Sequence, residues 1–288
     1  MSMDNKSKKD RIRDWSINEF EKPKKQESKK LKKLDNVVET KVPDEPVKKS
    51  KNWDVCIGDT VTFFDPTLSY EITGYRPITM DEGLDFDPVP FMQDGITYDR
   101  TGQYCTYPFG SKMYNDFWKE RTRRCQEGYT IGKYTLTGDH YFFLNFYRLP
   151  NITKYGNGDS PEGFPNFYNV QYEYFHYIAL CEKLGFDAVA LKARGVGFSE
   201  IGANLSVRPY ITDRKYRVAI TAPTEFFLTK VLEKCWTQTE FCNQQTGGGF
   251  KRLRQVKNSA TWRRASRKDR EGNEYGRMSE IEGIIADS

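Results

Sequence analysis

The string Asp187-Ala-Val-Ala-Leu-Lys-Ala-Arg-Gly-Val-Gly-Phe-Ser199 limits what this chain can fold into more than any other stretch. Asp187–Leu191 is a short apolar run suited to a buried parallel strand. Gly195 and Gly197 open a loop, and Ser199–Val207 then reads as a helix ended by Pro209. A strand that enters a glycine loop and leaves as a helix is a setting in which backbone N–H groups cradle phosphates and a hydroxyl reaches a metal ion.

The usual phosphate loop reads G-x-x-x-x-G-K-[ST]. Gly197 and Ser199 match its final Gly and its hydroxyl, while Lys192 stands where the first Gly belongs and Phe198 where the Lys belongs. An ordinary tight turn between a strand and a helix accounts for the same residues, so the spacing alone leaves both readings open. The departure is physically repairable. A long Lys side chain at the start of the loop can reach a phosphate from the other side, because an ammonium needs only placement. Arg194 adds a second cation, and Gly195 and Gly197 keep Cβ atoms away from the approaching anion.

Alternation of strand and helix extends on both sides of this string. Val170–Leu184 is helical, with Tyr174, Ile178 and Cys181 on one face. Tyr216–Thr221 is a second strand, and Glu225–Asn243 a helix with Phe227, Leu228, Val231, Leu232, Cys235 and Trp236 along one stripe. Gln244–Gly249 is a loop, and Glu271–Asn273 marks a hairpin turn. Upstream, Trp53–Pro150 is rich in Tyr, Phe, Gly and Pro. Asp59–Phe64, Tyr70–Ile72, Tyr129–Leu136 and Tyr141–Phe146 are expected as short strands there, and Lys112–Arg124 as a helix.

Charge separates the chain further. Residues 1–51 hold 16 Lys and Arg against 10 Asp and Glu, with apolar residues too sparse to bury, and are expected to be a disordered, Lys-rich tail with at most a short helix at Lys29–Val38. Lys251–Arg270 holds nine basic residues and one acid, a stripe that suits either phosphate contacts or a charged surface hairpin. No apolar run reaches the roughly 18 residues of a membrane span, and no signal-like stretch opens the chain. The six cysteines form no CxxC pair, so reduced thiols are expected and a zinc site is not. His140 and His176 are the only histidines, too few for a mechanism built on a histidine cluster, and both are expected in the core or at its boundary.

The loop Lys192–Ser199 (KARGVGFS) resembles the deviant Walker A loop of large terminase subunits, the ATP-driven DNA-packaging motors of tailed phages, in several of which the Lys also stands at the N-terminal end. Thr137–Leu149 (TGDHYFFLNFYRL) is similar to a segment upstream of the ATPase loop in that family, and Ser69–Pro77 (SYEITGYRP) to the aromatic N-terminal region of one subgroup. Thr221–Thr224 (TAPT) matches the motif that couples nucleotide to DNA, and Ser279–Asp287 resembles the segment before the Walker B strand. The resemblance spans about residues 53–288.

The resemblance implies a P-loop NTPase fold of the additional-strand type: α/β, with a parallel sheet incomplete at the C-terminus. An irregular, aromatic, β-containing region would precede the sheet. The expected parts are the tail at 1–51, the elaboration at 52–164 and the front of the ATPase domain at 165–288. ATP and Mg²⁺ are the implied cofactors. Lys192 would bind the β- and γ-phosphates, with Ala193, Arg194, Gly195, Val196, Gly197, Phe198 and Ser199 completing the nucleotide loop. Ser199 would ligate Mg²⁺ and Arg194 would stabilise transition-state charge as the catalytic residue. Gln171 or Tyr172 would contact adenine, although Tyr172 also reads as a core aromatic and Gln171 as a solvated helix residue. Implied partners are double-stranded DNA, the portal protein and procapsid, the small terminase subunit and further copies of the chain in a ring, in the host cytoplasm and at the portal vertex. After Ser199 no run of four apolar residues leads into an acidic pair, and Gly283–Asp287 comes nearest. The expectation is therefore the front part of a motor, with its nuclease further on, able to bind ATP but not to turn it over. A helicase-like nucleic-acid ATPase and a non-catalytic phage assembly protein are the alternatives; helicases generally keep the Lys that Phe198 replaces.

Overall fold

The structure is a computed structural model that describes residues 64–80, 86–154, 158–192, 197–250, 255–256 and 261–286, of which 151–161 and 255–256 are described by their backbone alone. The Lys-rich tail, most of the strand expected at Asp59–Phe64, and Ala193 to Val196 lie outside the described residues.

Helix α1 is Pro66–Thr73, where the sequence suggests a strand at Tyr70–Ile72. The local signals for a helix are nonetheless present. Asp65 caps the first turn by accepting from the Thr67 and Leu68 amides at 2.9 and 3.1 Å, Pro66 opens it, and Gly74 closes it at φ 74°. Short helical turns at Ile78–Met80 and Val89–Met92 lead to α2, Gln93–Thr101. Helix α3, Lys112–Glu127, contains the expected helix and is capped by Ser111. Strands β1 (Tyr129–Ile131) and β2 (Tyr134–Leu136) form an antiparallel hairpin across the expected Tyr129–Leu136 segment.

Helix α4 is Gly138–Phe146, and it corrects the strand expected at Tyr141–Phe146. All nine of its residues are buried, so no polar face survives to reveal a helical period. Thr137 caps it through the His140 amide. Asn145 fixes it against its surroundings: the side-chain amide donates to the Phe91 and Tyr141 carbonyls and accepts from the Gly95 amide, at 2.9–3.0 Å. At Gly95 an added Cβ would stand 3.0 Å from the Leu144 carbonyl and 3.1 Å from the Phe164 ring, so glycine allows this approach without displacing either.

Strands β3 (Leu149–Lys154) and β4 (Gly158–Gly163) make a second antiparallel hairpin. Helix α5 is Asn169–Leu184. The strand expected at Asp187–Leu191 is not formed: Val189 is 82% and Leu191 72% exposed. The Tyr177 hydroxyl holds the Val189 amide at 3.3 Å, but no described strand offers the segment a ladder. An apolar run becomes a strand only where neighbouring backbone can pair with it.

Helix α6, Phe198–Thr212, runs past the expected stop because Pro209 is accommodated in its last turn. Strand β5 is Arg217–Ala222 and α7 is Glu225–Gln245. Strands β6 (Gln255–Val256), β7 (Trp262–Lys268) and β8 (Glu274–Ile285) follow. The sheet order is β5-β8-β7-β6, with β5 and β8 parallel and the other pairs antiparallel. The fold is thus mixed α/β with small sheets, and β5–β8 is the parallel pair among the described strands. Gly283–Ile285, which in the sequence looks like a strand cut short, completes β8 opposite Ile220–Ala222.

One core joins both sides of residue 164. Phe91, Trp118, Phe142, Phe143 and Phe146 pack in one cluster with Phe175, Ile201, Tyr210, Leu228 and Ile281, and residues 64–288 cohere as a single unit. No helix among the described residues is long and apolar enough to cross a membrane.

Candidate phosphate-binding site at the start of helix α6

Gly197 is the N-cap of α6, at φ 76° and ψ 14°, and supplies no side-chain cap. Its carbonyl accepts from the Glu200 and Ile201 amides at 2.9 and 3.1 Å, closing the first turn. The amides of Phe198 and Ser199 stand ahead of that turn, where a helix has no internal acceptor to offer them. Such a start attracts an anion both through its N–H groups and through the helix dipole.

Phe198 occupies the place that a phosphate-binding Lys takes in the usual loop. Its ring packs on Tyr174 with centroids 4.5 Å apart, which anchors the first turn of α6 to α5. The Lys192 ammonium lies 6.0 Å from the Phe198 ring centroid. The cation at the front of the loop is therefore folded back over the helix start. Lys192 and Ser199 are both exposed. Gln171 joins them, since its Nε2 lies 3.4 Å from where a Cβ on Gly197 would sit. Any other residue at 197 would meet that amide and a left-handed backbone together.

Tyr172 takes a different place. Its ring is fully buried, and its hydroxyl accepts from the Ile78 amide at 3.0 Å and donates to the Thr135 carbonyl at 3.1 Å. It ties α5 to the β1–β2 hairpin region and presents no face to a ligand. Arg194, Ala193, Gly195 and Val196 lie outside the described residues.

Glu200 has a role that no sequence motif marks. Its carboxylate accepts from the Tyr147 hydroxyl at 2.8 Å and pairs with Lys234 of α7. Burial, and then the Glu200 charge, push the Tyr147 phenol well above its ordinary pKa. The first turn of α6 is thereby clamped to α7 and to Tyr147 at the end of α4, which makes it a rigid platform. The TAPT string ends β5 and forms the turn into α7, with Thr224 as its N-cap. Ala222 and Ile285 lie side by side at the C-terminal ends of the parallel pair, the edge where open α/β sheets bind ligands.

A cleft of about 310 Å³ lies elsewhere, between α5, α6 and β5, lined by Asp139, Ile178, Glu182, Arg208, Tyr216 and Val218. Glu182 is eleven residues along α5 from Gln171, roughly 16 Å at 1.5 Å per residue. The cleft and the helix start are separate features.

The residues present fit a nucleotide's phosphates: an uncapped helix start, an exposed hydroxyl and a cation over the first turn. They fit Mg²⁺ only as an ion shared with those phosphates. No group of three or more His, Cys, Asp or Glu able to hold a metal occurs among the described residues, and Mg²⁺ commonly relies on substrate phosphates and water. The chain matches no family model, no curated protein sequence and no solved structure.

Proposed function

We propose that the chain is the ATPase portion of a phage large terminase, a P-loop motor of the additional-strand type that packages double-stranded DNA. The observation that carries the reading is the Lys192 ammonium folded over Phe198 at the uncapped start of α6, beside the exposed Ser199. This arrangement supplies the cation, amides and hydroxyl of a phosphate loop although the sequence pattern is displaced. The parallel β5–β8 pair with α7 following β5 is consistent with the fold proposed.

In this reading Lys192 would hold the β- and γ-phosphates, the amides from Gly195 to Phe198 would cradle them, and Ser199 would share Mg²⁺ with them. Gln171 reaches the base from its place beside Gly197. Arg194 meets the charge that develops as the γ-phosphoryl leaves. The phosphate–Mg²⁺ group supplies the leaving group and its charge neutralisation; the chain positions and binds. With no acidic pair after an apolar run past Ser199, the 288-residue chain is assigned nucleotide binding with hydrolysis near background. The proposed partners are duplex DNA, the portal protein on the procapsid, the small terminase subunit and further copies of the chain in a ring, in the host cytoplasm.

Calorimetry with ATP and Mg²⁺ tests the loop. Lys192→Ala is expected to weaken binding by about 1.5–3 kcal/mol, the worth of a charge-assisted hydrogen bond, which is roughly tenfold to a hundredfold in affinity. Equal affinity for wild type and Lys192→Ala removes the loop from the site.

A further inference from the structure

The fold sorts the basic stripe into two kinds of residue. Arg263 lies 4.3 Å over the Trp236 ring and bonds to Glu240, and Arg264 bonds to Glu274 and Glu280. These two arginines hold α7 and β8 to β7. Arg267, Lys268 and Arg270 are instead exposed at the tip of the β7–β8 hairpin. Asp269 stiffens that tip by accepting from the Glu271 and Asn273 amides at 3.0 and 2.8 Å.

A second pair of cations arrives from far away in the sequence. Arg214 and Lys215 are exposed in the turn between α6 and β5. The Lys215 amide donates to the Arg277 carbonyl at 2.8 Å, and the Ser279 hydroxyl to the Asp213 carbonyl at 2.7 Å, which fasten the turn to the flank of β8. Lys215 is held at φ 57°, a left-handed conformation that a non-glycine residue adopts only when its surroundings impose it. The turn meets β8 at Arg277 and the hairpin tip begins at Glu274, so two strand spacings and three residues along the strand put them about 14 Å apart.

None of Arg214, Lys215, Arg267, Lys268 and Arg270 forms an ion pair with a described residue, whereas Asp213 pairs with Arg208, Glu274 with Arg264, and Glu280 with Arg217 and Arg264. Asp269 and Glu271 at the tip bond only to neutral groups and keep their charge. The five cations exceed these two carboxylates, so the outward charge of this end of the molecule is positive.

The geometry points to this composite ridge as a docking surface for the phosphate backbone of duplex DNA, an inference that rests on the packaging reading and gives it a place on the molecule. Five cations in fixed relation match a polymer of phosphates better than a single anion. A single strand calls for a groove lined with stacking aromatics. The ridge is a projecting hairpin and a turn with two separated exposed aromatics, Tyr275 opposite Arg267 and Tyr216 beside Lys215. It touches phosphates from outside and carries no base readout.

Binding of the 288-residue chain to a mixed-sequence DNA duplex, measured across salt concentrations, tests the ridge. The triple variant Lys215→Gln, Arg267→Gln, Lys268→Gln is expected to lower the log–log salt slope by about 3 units, because each neutralised phosphate contributes about 0.9. A control carrying Lys112→Gln, Lys119→Gln and Lys183→Gln, three exposed lysines elsewhere, is expected to keep the wild-type slope. Circular dichroism establishes that both variants fold. An unchanged slope in the ridge variant, with wild-type DNA binding intact, overturns the ridge and leaves the packaging reading standing. No DNA binding by wild type at low salt overturns both, and the ATP calorimetry then decides the nucleotide reading alone. Loss of binding to vesicles of equal parts phosphatidylserine and phosphatidylcholine, with DNA binding unaffected, overturns the ridge in favour of a membrane.

Discussion

Arg208→Ala is expected to lower the free energy of unfolding by about 3–5 kcal/mol, the usual consequence of stranding one partner of a buried ion pair. The Arg208 guanidinium bonds both carboxylate oxygens of Asp139, at 2.7 and 3.1 Å, and reaches Asp213 at 3.1 Å. Both members of the Asp139 pair are nearly closed to solvent, with side chains 11% and 12% exposed, so screening does little to soften the loss. Asp139 also lies in the first turn of α4, where the helix dipole gives it partial support, which argues for the lower half of the range. Urea denaturation measures the effect. The double variant Asp139→Asn, Arg208→Met should lose less than Arg208→Ala alone, because it removes the charge that the single change abandons. A loss below about 1 kcal/mol for Arg208→Ala, typical of exposed pairs, would mean that water reaches Asp139 through the neighbouring cleft.

Acid is expected to destabilise the fold well before the bulk of the carboxylates titrate. His176 is buried, and burial lowers its pKa from 6.5 to about 4, against a smaller opposing effect of its bond to the Thr135 carbonyl. His140 is lowered too, first by burial and then by His176. Its ring stacks on Phe175 with centroids 4.7 Å apart and on Phe167 at 5.4 Å, and neither nitrogen has a hydrogen-bond partner among the described residues. As pH falls below the unfolded value the unfolded chain takes up protons that the folded chain refuses. Stability is therefore complete above pH 6.5 and lost towards pH 4, with His176 alone contributing about 3 kcal/mol. Glu173 and Glu182 act the other way, since burial raises both and their protonation favours the folded state as pH falls. Denaturation curves across this window test the expectation. His140→Phe should flatten the acid limb, and an acid limb identical to wild type would remove His140 from it.

What the sequence disclosed depended on contrast between faces. Helix α7 shows an apolar stripe, helix α3 an alternation of charge and ring, and the β7–β8 hairpin its glycine turn, and these three were legible; Tyr129–Leu136 read as one strand, and its turn at Gly132 divides it into two. Helix α4 was not, because complete burial erases the polar face on which periodicity depends. The residues that cap α1, Asp65, Pro66 and Gly74, went unread because its Tyr and Ile pointed to a strand. At Asp187–Leu191 the opposite happened: composition asked for a strand, and pairing, which no single segment contains, decided otherwise. Within the candidate site Lys192, Gly197 and Ser199 were visible as types at a spacing. The Lys234 clamp on Glu200 and the meeting of Lys215 with the flank of β8 were not, since each joins residues brought together only by the tertiary fold.

The burial of α4 on every side bears on how the chain comes apart. A helix with no wet face cannot persist as a folding intermediate in water, so its formation waits on the segments that enclose it. Those segments come from both the aromatic upstream region and the α5–β8 region, through Trp118 on one side and Phe175, Ile201 and Phe250 on the other. The change of composition near residue 164 falls within this shared core. Residues that share one core are expected to open cooperatively, with α4 last, and its amides should then be the slowest to exchange with deuterium.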